Sequence, residues 1–211
     1  MAGGEGDVKL LGLRLSPFVA RVRMALDAKG VRYDDLLLAS NPVHRKVPVL
    51  IHAGRPVCES LVILHYVDEA WPGAPALLPA GARERAAARF WAAYVDGELF
   101  PAWGRPAGEA ADMVARLEQA FKECSDGRAF FGGDAVGYVD VVLGSNLFWF
   151  EALRRLFGVR LVDEGRTPLL AAWAGRFGEA AAANGVVTDA LVDMAVEHAK
   201  KLRAAAMAAG K

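Results

Sequence analysis

Hydrophobic and polar positions change rhythm along the chain. Up to Trp71, short β-like runs alternate with helical ones, whereas from Arg83 onward only helical periodicity recurs. Val8 to Leu13 reads as a strand. Ser16-Pro17 then offers an N-cap with proline at the first helical position, so a helix is expected from Pro17 to a stop at Gly30. Its buried stripe is expected at Val19, Val22, Ala25 and Leu26, with Arg21 and Arg23 on the wet side. Val47 to His52 and Arg55 to Cys58 read as two short strands joined by a tight Ala53-Gly54 turn, the second at an edge because of Pro56. Ser60 is expected to cap a further helix that turns Leu61, Leu64 and Val67 inward.

Pro72, Pro75 and Pro79 with Gly73 and Gly81 form a join that cannot continue a helix. The division is therefore residues 1–72, a linker at 73–82, and an all-helical part at 83–211. Arg83 to about Phe100 is expected to be one helix with Ala87, Phe90, Trp91, Tyr94, Val95 and Leu99 on its apolar face. Ala111 to Cys124 is another, with Val114, Leu117 and Phe121 in register and a stop at Ser125-Asp126-Gly127. Phe130 to Asp134 reads as a loop. Tyr138 to Leu156 is apolar on every side and reads as one central buried helix, with Asp140 near its positive end. Leu169 to Phe177 and Ala190 to Met207 complete the helical part.

Composition narrows the function. With 211 residues, 54% of them hydrophobic, the chain can bury a sizeable core. Lys+Arg and Asp+Glu both number 25, so no long-range field would hold nucleic acid against salt. Charges interrupt every apolar run before the roughly 20 residues of a membrane span, and the acidic start lacks a basic leader region, which predicts a cytosolic protein without membrane attachment. Cys58 and Cys124 are isolated, and His44, His52, His65 and His198 are scattered, so neither a disulfide framework nor a metal site is expected.

Three short motifs carry candidate chemistry. Ser16-Pro17-Phe18 alone is a helix cap, or else a hydroxyl donor to an anion, such as a thiolate, at that helix end. Val47-Pro48 alone is a strand start. With a cis peptide bond, Val47 would present its N–H and C=O to an extended peptide. Glu59-Ser60 is an ordinary cap, or a grip in which Ser60 and free N–H groups hold a carboxylate while Glu59 takes the ammonium of the same ligand. Their order, followed by a helical domain, is more specific than any one of them.

These motifs, together with Asn41-Pro42-Val43-His44-Arg45-Lys46, Arg89-Phe90-Trp91, Tyr94-Val95-Asp96, Phe131-Gly132-Gly133-Asp134 and Val139-Asp140, resemble the plant tau-class glutathione S-transferases over nearly the whole chain. The resemblance implies an α/β domain of thioredoxin-like fold followed by an all-α, all-helical C-terminal domain. It also implies a cytoplasmic homodimer that joins glutathione, its co-substrate, to hydrophobic electrophiles in detoxification and stress response, with peroxide reduction as a further outcome and no metal. Carried over by position, Ser16 would donate to the glutathione sulfur, Val47 beside Pro48 would pair with the cysteinyl unit, and Lys46 would neutralise the glycine carboxylate. Glu59 and Ser60 would hold the γ-glutamyl end with Asp96 near it, while Phe18, Arg14, Phe100 and Trp149 would line the electrophile pocket.

Two departures qualify the resemblance. Between Tyr33 and Leu36 the second strand and a lysine-bearing acidic loop are missing, which predicts an incomplete sheet and a weakened glycine-carboxylate site left to Lys46 and Arg45. Pro101 to Glu109, around Gly104, is also short. Either these pieces are lost or the sequence closes over loops. The rival to catalysis is a non-catalytic carrier of hydrophobic anions with the same fold. A thiol reductase would need cysteine at position 16, and Cys58 is read as packing rather than as a nucleophile.

Overall fold

The computed structural model describes residues 8–37, 46–73, 75–101, 107–180, 185 and 188–209. Strand β1 (Val8–Gly12) alternates buried and half-buried positions and runs into helix α1 (Pro17–Ala28). Gly12 allows this close approach, since a Cβ there would lie 2.5 Å from Val19 Cγ1. Strand β2 (Asp34–Leu37) follows, then β3 (Val49–His52), β4 (Arg55–Cys58) and helix α2 (Ser60–Ala70). The sheet order is β2-β1-β3-β4, with β1 parallel to β2 and antiparallel to β3, and β4 antiparallel to β3 at the far edge. Pro56 thus sits where its missing N–H leaves no central ladder bond unmade. The β3–β4 turn takes Ala53 and Gly54 into the left-handed region at φ 49° and 73°, as a two-residue hairpin requires.

The expected gap in the sheet is corrected by β2, which pairs Lys9 to Gly12 with Asp34 to Leu37. Its acidic pair hides it from a hydrophobic pattern, because an edge strand tolerates charge. Arg23 pairs with Asp35 at 2.9 Å across the outside. The family loop after β2, and with it Arg45, falls outside the described residues, as does most of the short stretch around Gly104.

The helical part begins with α3 (Ala82–Tyr94), which continues as a π-helical segment, Val95–Leu99, before α4 (Ala107–Ser125). Val114, Leu117 and Phe121 of α4 are buried in register. The apolar face expected for α3 is only partly used: Val95 and Leu99 are buried alongside Ala88 and Ala92, but Phe90 is 60% exposed. Trp91 and Tyr94 pack against the core while remaining partly exposed, so only Phe90 turns away from it.

The expected single helix from Tyr138 to Leu156 is two, α5 (Tyr138–Gly144) and α6 (Leu147–Phe157). The break at Ser145-Asn146 is closed by side chains that bond back to the preceding turn. Ser145 Oγ donates to the Val142 carbonyl at 2.8 Å, and Asn146 Nδ2 does the same at 2.8 Å. Helices α7 (Pro168–Glu179) and α8 (Asp189–Ala209) finish the chain. Every residue of α5 is buried, and it packs against α1, α3 and α7. One continuous apolar core therefore runs from the sheet through α5 into the helical part. Among the described residues no helix is long and apolar enough to cross a membrane.

Candidate functional site

Two helix beginnings, those of α1 and α2, face the question of where their first N–H groups find partners. At α1, Ser16 holds an extended conformation (φ −83°, ψ 118°), and its Oγ accepts from the Val19 N–H at 3.3 Å. Accepting uses a lone pair, so the hydroxyl proton remains available for donation. The preceding turn is closed by the Ser16 N–H donating to the Leu13 carbonyl at 3.2 Å. From the helical part, Trp149 Nε1 donates to the Leu15 carbonyl at 3.0 Å.

The α2 end differs from expectation. Glu59, not Ser60, stands at the N-cap, and no side chain caps the helix. Glu59 adopts φ 67° and ψ 117°, a conformation that costs a non-glycine residue about 1 to 3 kcal/mol. Ser60 is the first helical residue, and its Oγ accepts from Arg21 Nη1 at 3.3 Å.

Arg21 is the functional residue that pattern reading misplaced. It is 0% exposed, not on a wet face. Both terminal nitrogens donate to the two carboxylate oxygens of Asp96 at 2.8 Å, a bidentate pair linking α1 to the π-helical segment. The guanidinium also lies 5.0 Å from the centre of the Phe18 ring. One signal could have found it: Arg21 falls one turn after Pro17 and one turn before Met24 and Ala25, on a stripe that is otherwise apolar. Such a position buries an arginine only when a carboxylate waits for it.

A cavity of about 630 Å³ opens over these residues. Lys46, Val47 and Pro48 form one wall, Glu59, Ser60 and Leu61 a second, and Asp96 with Phe18 a third. The Val47–Pro48 bond is cis, and β3 begins only at Val49, so Val47 lies outside the sheet ladder. Cys58 is exposed and borders this cavity; it does not pack. Phe100 meets Phe18 edge to face at 4.8 Å. Ser16 stands at the head of α1, two residues before Phe18. Arg14 lies apart from the cavity, bordering a separate recess with Arg23, Tyr33 and Leu191. Trp149 reaches the turn just before Ser16.

The arrangement offers a zwitterion what it needs. Glu59 and Asp96 supply negative charge beside a helix N-terminus and the Ser60 hydroxyl, and Lys46 lines the same cavity. Because Asp96 is neutralised from behind by Arg21, the wall carries a fixed carboxylate without a buried net charge.

A small mixed sheet with two packed helices, joined to an all-helical part and carrying a cavity lined by both charged and apolar side chains, defines the class of two-domain proteins with a thioredoxin-like first half. Family models described as "Glutathione S-transferase, N-terminal domain" and "Glutathione S-transferase, C-terminal domain" match residues 10–75 and 107–176. The chain is 52% identical over 213 residues to Probable glutathione S-transferase GSTU6 of Oryza sativa subsp. japonica, covering 88% of this chain and 90% of the relative. It is 42% identical to glutathione S-transferase U18 of Arabidopsis thaliana, covering 93% and 96%. Among solved structures, a tau-class glutathione S-transferase from mango, Mangifera indica, matches with a TM-score of 0.87 at 38% identity, covering 94% of this chain and 100% of that one. Rice GST1, solved in complex with glutathione, matches with a TM-score of 0.76 at 36% identity, covering 95% and 99%. The chain belongs to the glutathione S-transferase family, in its tau class.

Proposed function

We propose that this protein is a serine-type glutathione transferase that attaches the glutathione sulfur to hydrophobic electrophiles. The observation that carries the reading is the single cavity walled by Lys46, Val47, Glu59, Ser60 and Asp96, with Phe18 at its apolar side. Glutathione fits this donor set. The γ-glutamyl ammonium meets Glu59 and Asp96, and its carboxylate meets Ser60 and the α2 N-terminus. Val47 pairs with the cysteinyl amide, and Lys46 meets the glycine carboxylate.

A free thiol with a pKa of about 8.5 is only a few per cent ionised at neutral pH, and lowering that value by about two units requires roughly 2.7 kcal/mol. The Ser16 hydroxyl, with its proton uncommitted, and the N-terminus of α1 supply this by donating to the charged form. The oriented thiolate then attacks an electrophile held against Phe18 and Phe100, with Trp149 at the outer margin. The carbon–sulfur bond forms as the leaving group departs or as the electrophile accepts a proton. Proximity supplies much of the acceleration.

Ser16→Ala is expected to lower the conjugation rate about a hundredfold at neutral pH. It also moves the ionisation of bound glutathione back toward its value in solution, read from thiolate absorbance. An unchanged rate and an unchanged ionisation would overturn the mechanism. Calorimetry with glutathione separates it from the carrier reading, which predicts binding of apolar anions with no glutathione heat.

The same reading makes the protein a cytoplasmic homodimer acting in detoxification and stress response, with a glutathione domain at 1–72, a linker at 73–82 and a helical domain at 83–211. The exposed apolar side chains Val62 and Phe90 support self-association, since burial against a second copy removes them from water. Sedimentation decides it.

A further inference from the structure

The turn that presents Ser16 is short and has few restraints of its own. One hydrogen bond, Ser16 N–H to the Leu13 carbonyl, closes it, and the hydroxyl is oriented by a 3.3 Å contact from the Val19 N–H that is shared with the Ser16 carbonyl at 3.1 Å. The Leu15 carbonyl precedes the Ser16 nitrogen in the same peptide group, so any rotation of that peptide swings Ser16. Its partner comes from 134 residues away: Trp149 Nε1 on α6, at 3.0 Å. The indole is itself held. It tilts against Phe148 at 5.6 Å and is met edge-on by His198 of α8 at 6.4 Å, and α6 packs along α8.

We propose that Trp149 is a positioning residue for the reaction: its indole N–H fixes the Leu15 carbonyl and thereby aims the Ser16 hydroxyl at the glutathione sulfur. The inference rests on the role of Ser16 given above. Hydrogen bonds weaken steeply as they bend, so a hydroxyl free to swing donates poorly to a thiolate even when it remains nearby. Trp149 as a pocket wall needs only its rings, whereas Trp149 as a strut needs its N–H. The two roles therefore separate under substitution.

Trp149→Phe keeps an aromatic surface and removes the donor. Replacement of Trp149 by benzothienylalanine, in which sulfur takes the place of the N–H, keeps the bicyclic shape and guards against a folding defect. With either variant, the thiolate absorbance of the glutathione complex is expected to titrate about half to one pH unit higher than in the wild type, a threefold to tenfold loss of acidity. The kcat/KM for conjugation should fall by the same factor near pH 6.5 and recover near pH 9, where the thiol ionises unaided. The KM for glutathione should stay within about twofold, because the grips at Glu59, Ser60 and Lys46 are untouched. In a Ser16→Ala background the Trp149 change should add nothing to the thiol titration. Wild-type titration in the benzothienylalanine variant overturns the proposal while leaving Ser16 in place. Wild-type titration in Ser16→Ala overturns the reading beneath it.

Discussion

Two carboxylates in this molecule solve opposite problems. Asp140, at the start of α5, is sealed from water and surrounded only by neutral donors: the N–H groups of Phe131, Gly132 and Gly137 at 2.8 to 2.9 Å and Trp173 Nε1 at 2.7 Å. Asp96, on the π-helical segment, keeps its side chain 24% exposed and is paired with a guanidinium behind it. Burial pushes Asp140 up to about 6, against the pull of those four donors. Asp140 has nothing left to offer a ligand and ties the Phe131–Gly137 loop, α5 and α7 together. Asp96 is held firmly from one side and faces the cavity on the other. One carboxylate is enclosed by donors on every side, whereas the other is anchored from behind and left partly open to a cavity.

The contrast can be broken at its larger end first. Asp140→Ala strands three buried N–H groups and a fourth that is part-buried, and a loss of about 4 kcal/mol is expected in denaturant unfolding, with little change in KM for whatever folded protein remains. The titration of Asp140 gives the next effect. Its raised pKa means that the folded chain binds the proton more tightly than the unfolded one. Its contribution to stability is therefore fully present below about pH 4 and lost as the pH rises through about 6, a change of about 3 kcal/mol. Asp140→Asn should abolish that part of the pH dependence when unfolding is compared between pH 4 and 6. Asp96→Asn leaves the Arg21 guanidinium without its counter-charge. About 2 kcal/mol of stability should go, and KM for glutathione should rise about tenfold, a double effect that Asp140 variants lack. Glu59→Gly gives the smallest change and the opposite sign. It relieves the positive φ and should stabilise the fold by about 1 kcal/mol while weakening glutathione binding.

Local signals in the sequence were a good guide where the structure is local. Ser16-Pro17 does cap α1, Ala53-Gly54 does turn the hairpin, and Pro56 does lie in an edge strand. The failures have a common cause, a partner distant along the chain. Arg21 resembles a solvated residue until Asp96, 75 positions later, is brought beside it. At Asp34-Asp35 the second strand goes unseen until β1 supplies a parallel neighbour. Tyr138 to Leu156 is uniformly apolar, so no periodicity marks the break that Ser145 and Asn146 make with their side chains. Six of the candidates, Lys46, Val47, Pro48, Glu59, Ser60 and Asp96, come together around one cavity, yet the arginine behind two of them left no motif. The strain at Glu59 was equally invisible, since nothing in a glutamate side chain signals a positive φ.

The join between the two halves is less permissive than its prolines and glycines suggest. Leu77 is 1% exposed, its N–H donates to Asp68 of α2 at 2.8 Å, and its carbonyl accepts from the Tyr138 N–H of α5 at 2.8 Å. Asp68 in turn takes an ion pair from Lys29 at the end of α1. A chimaera splicing the front of one relative to the back of another must therefore carry a plug that fits both sockets.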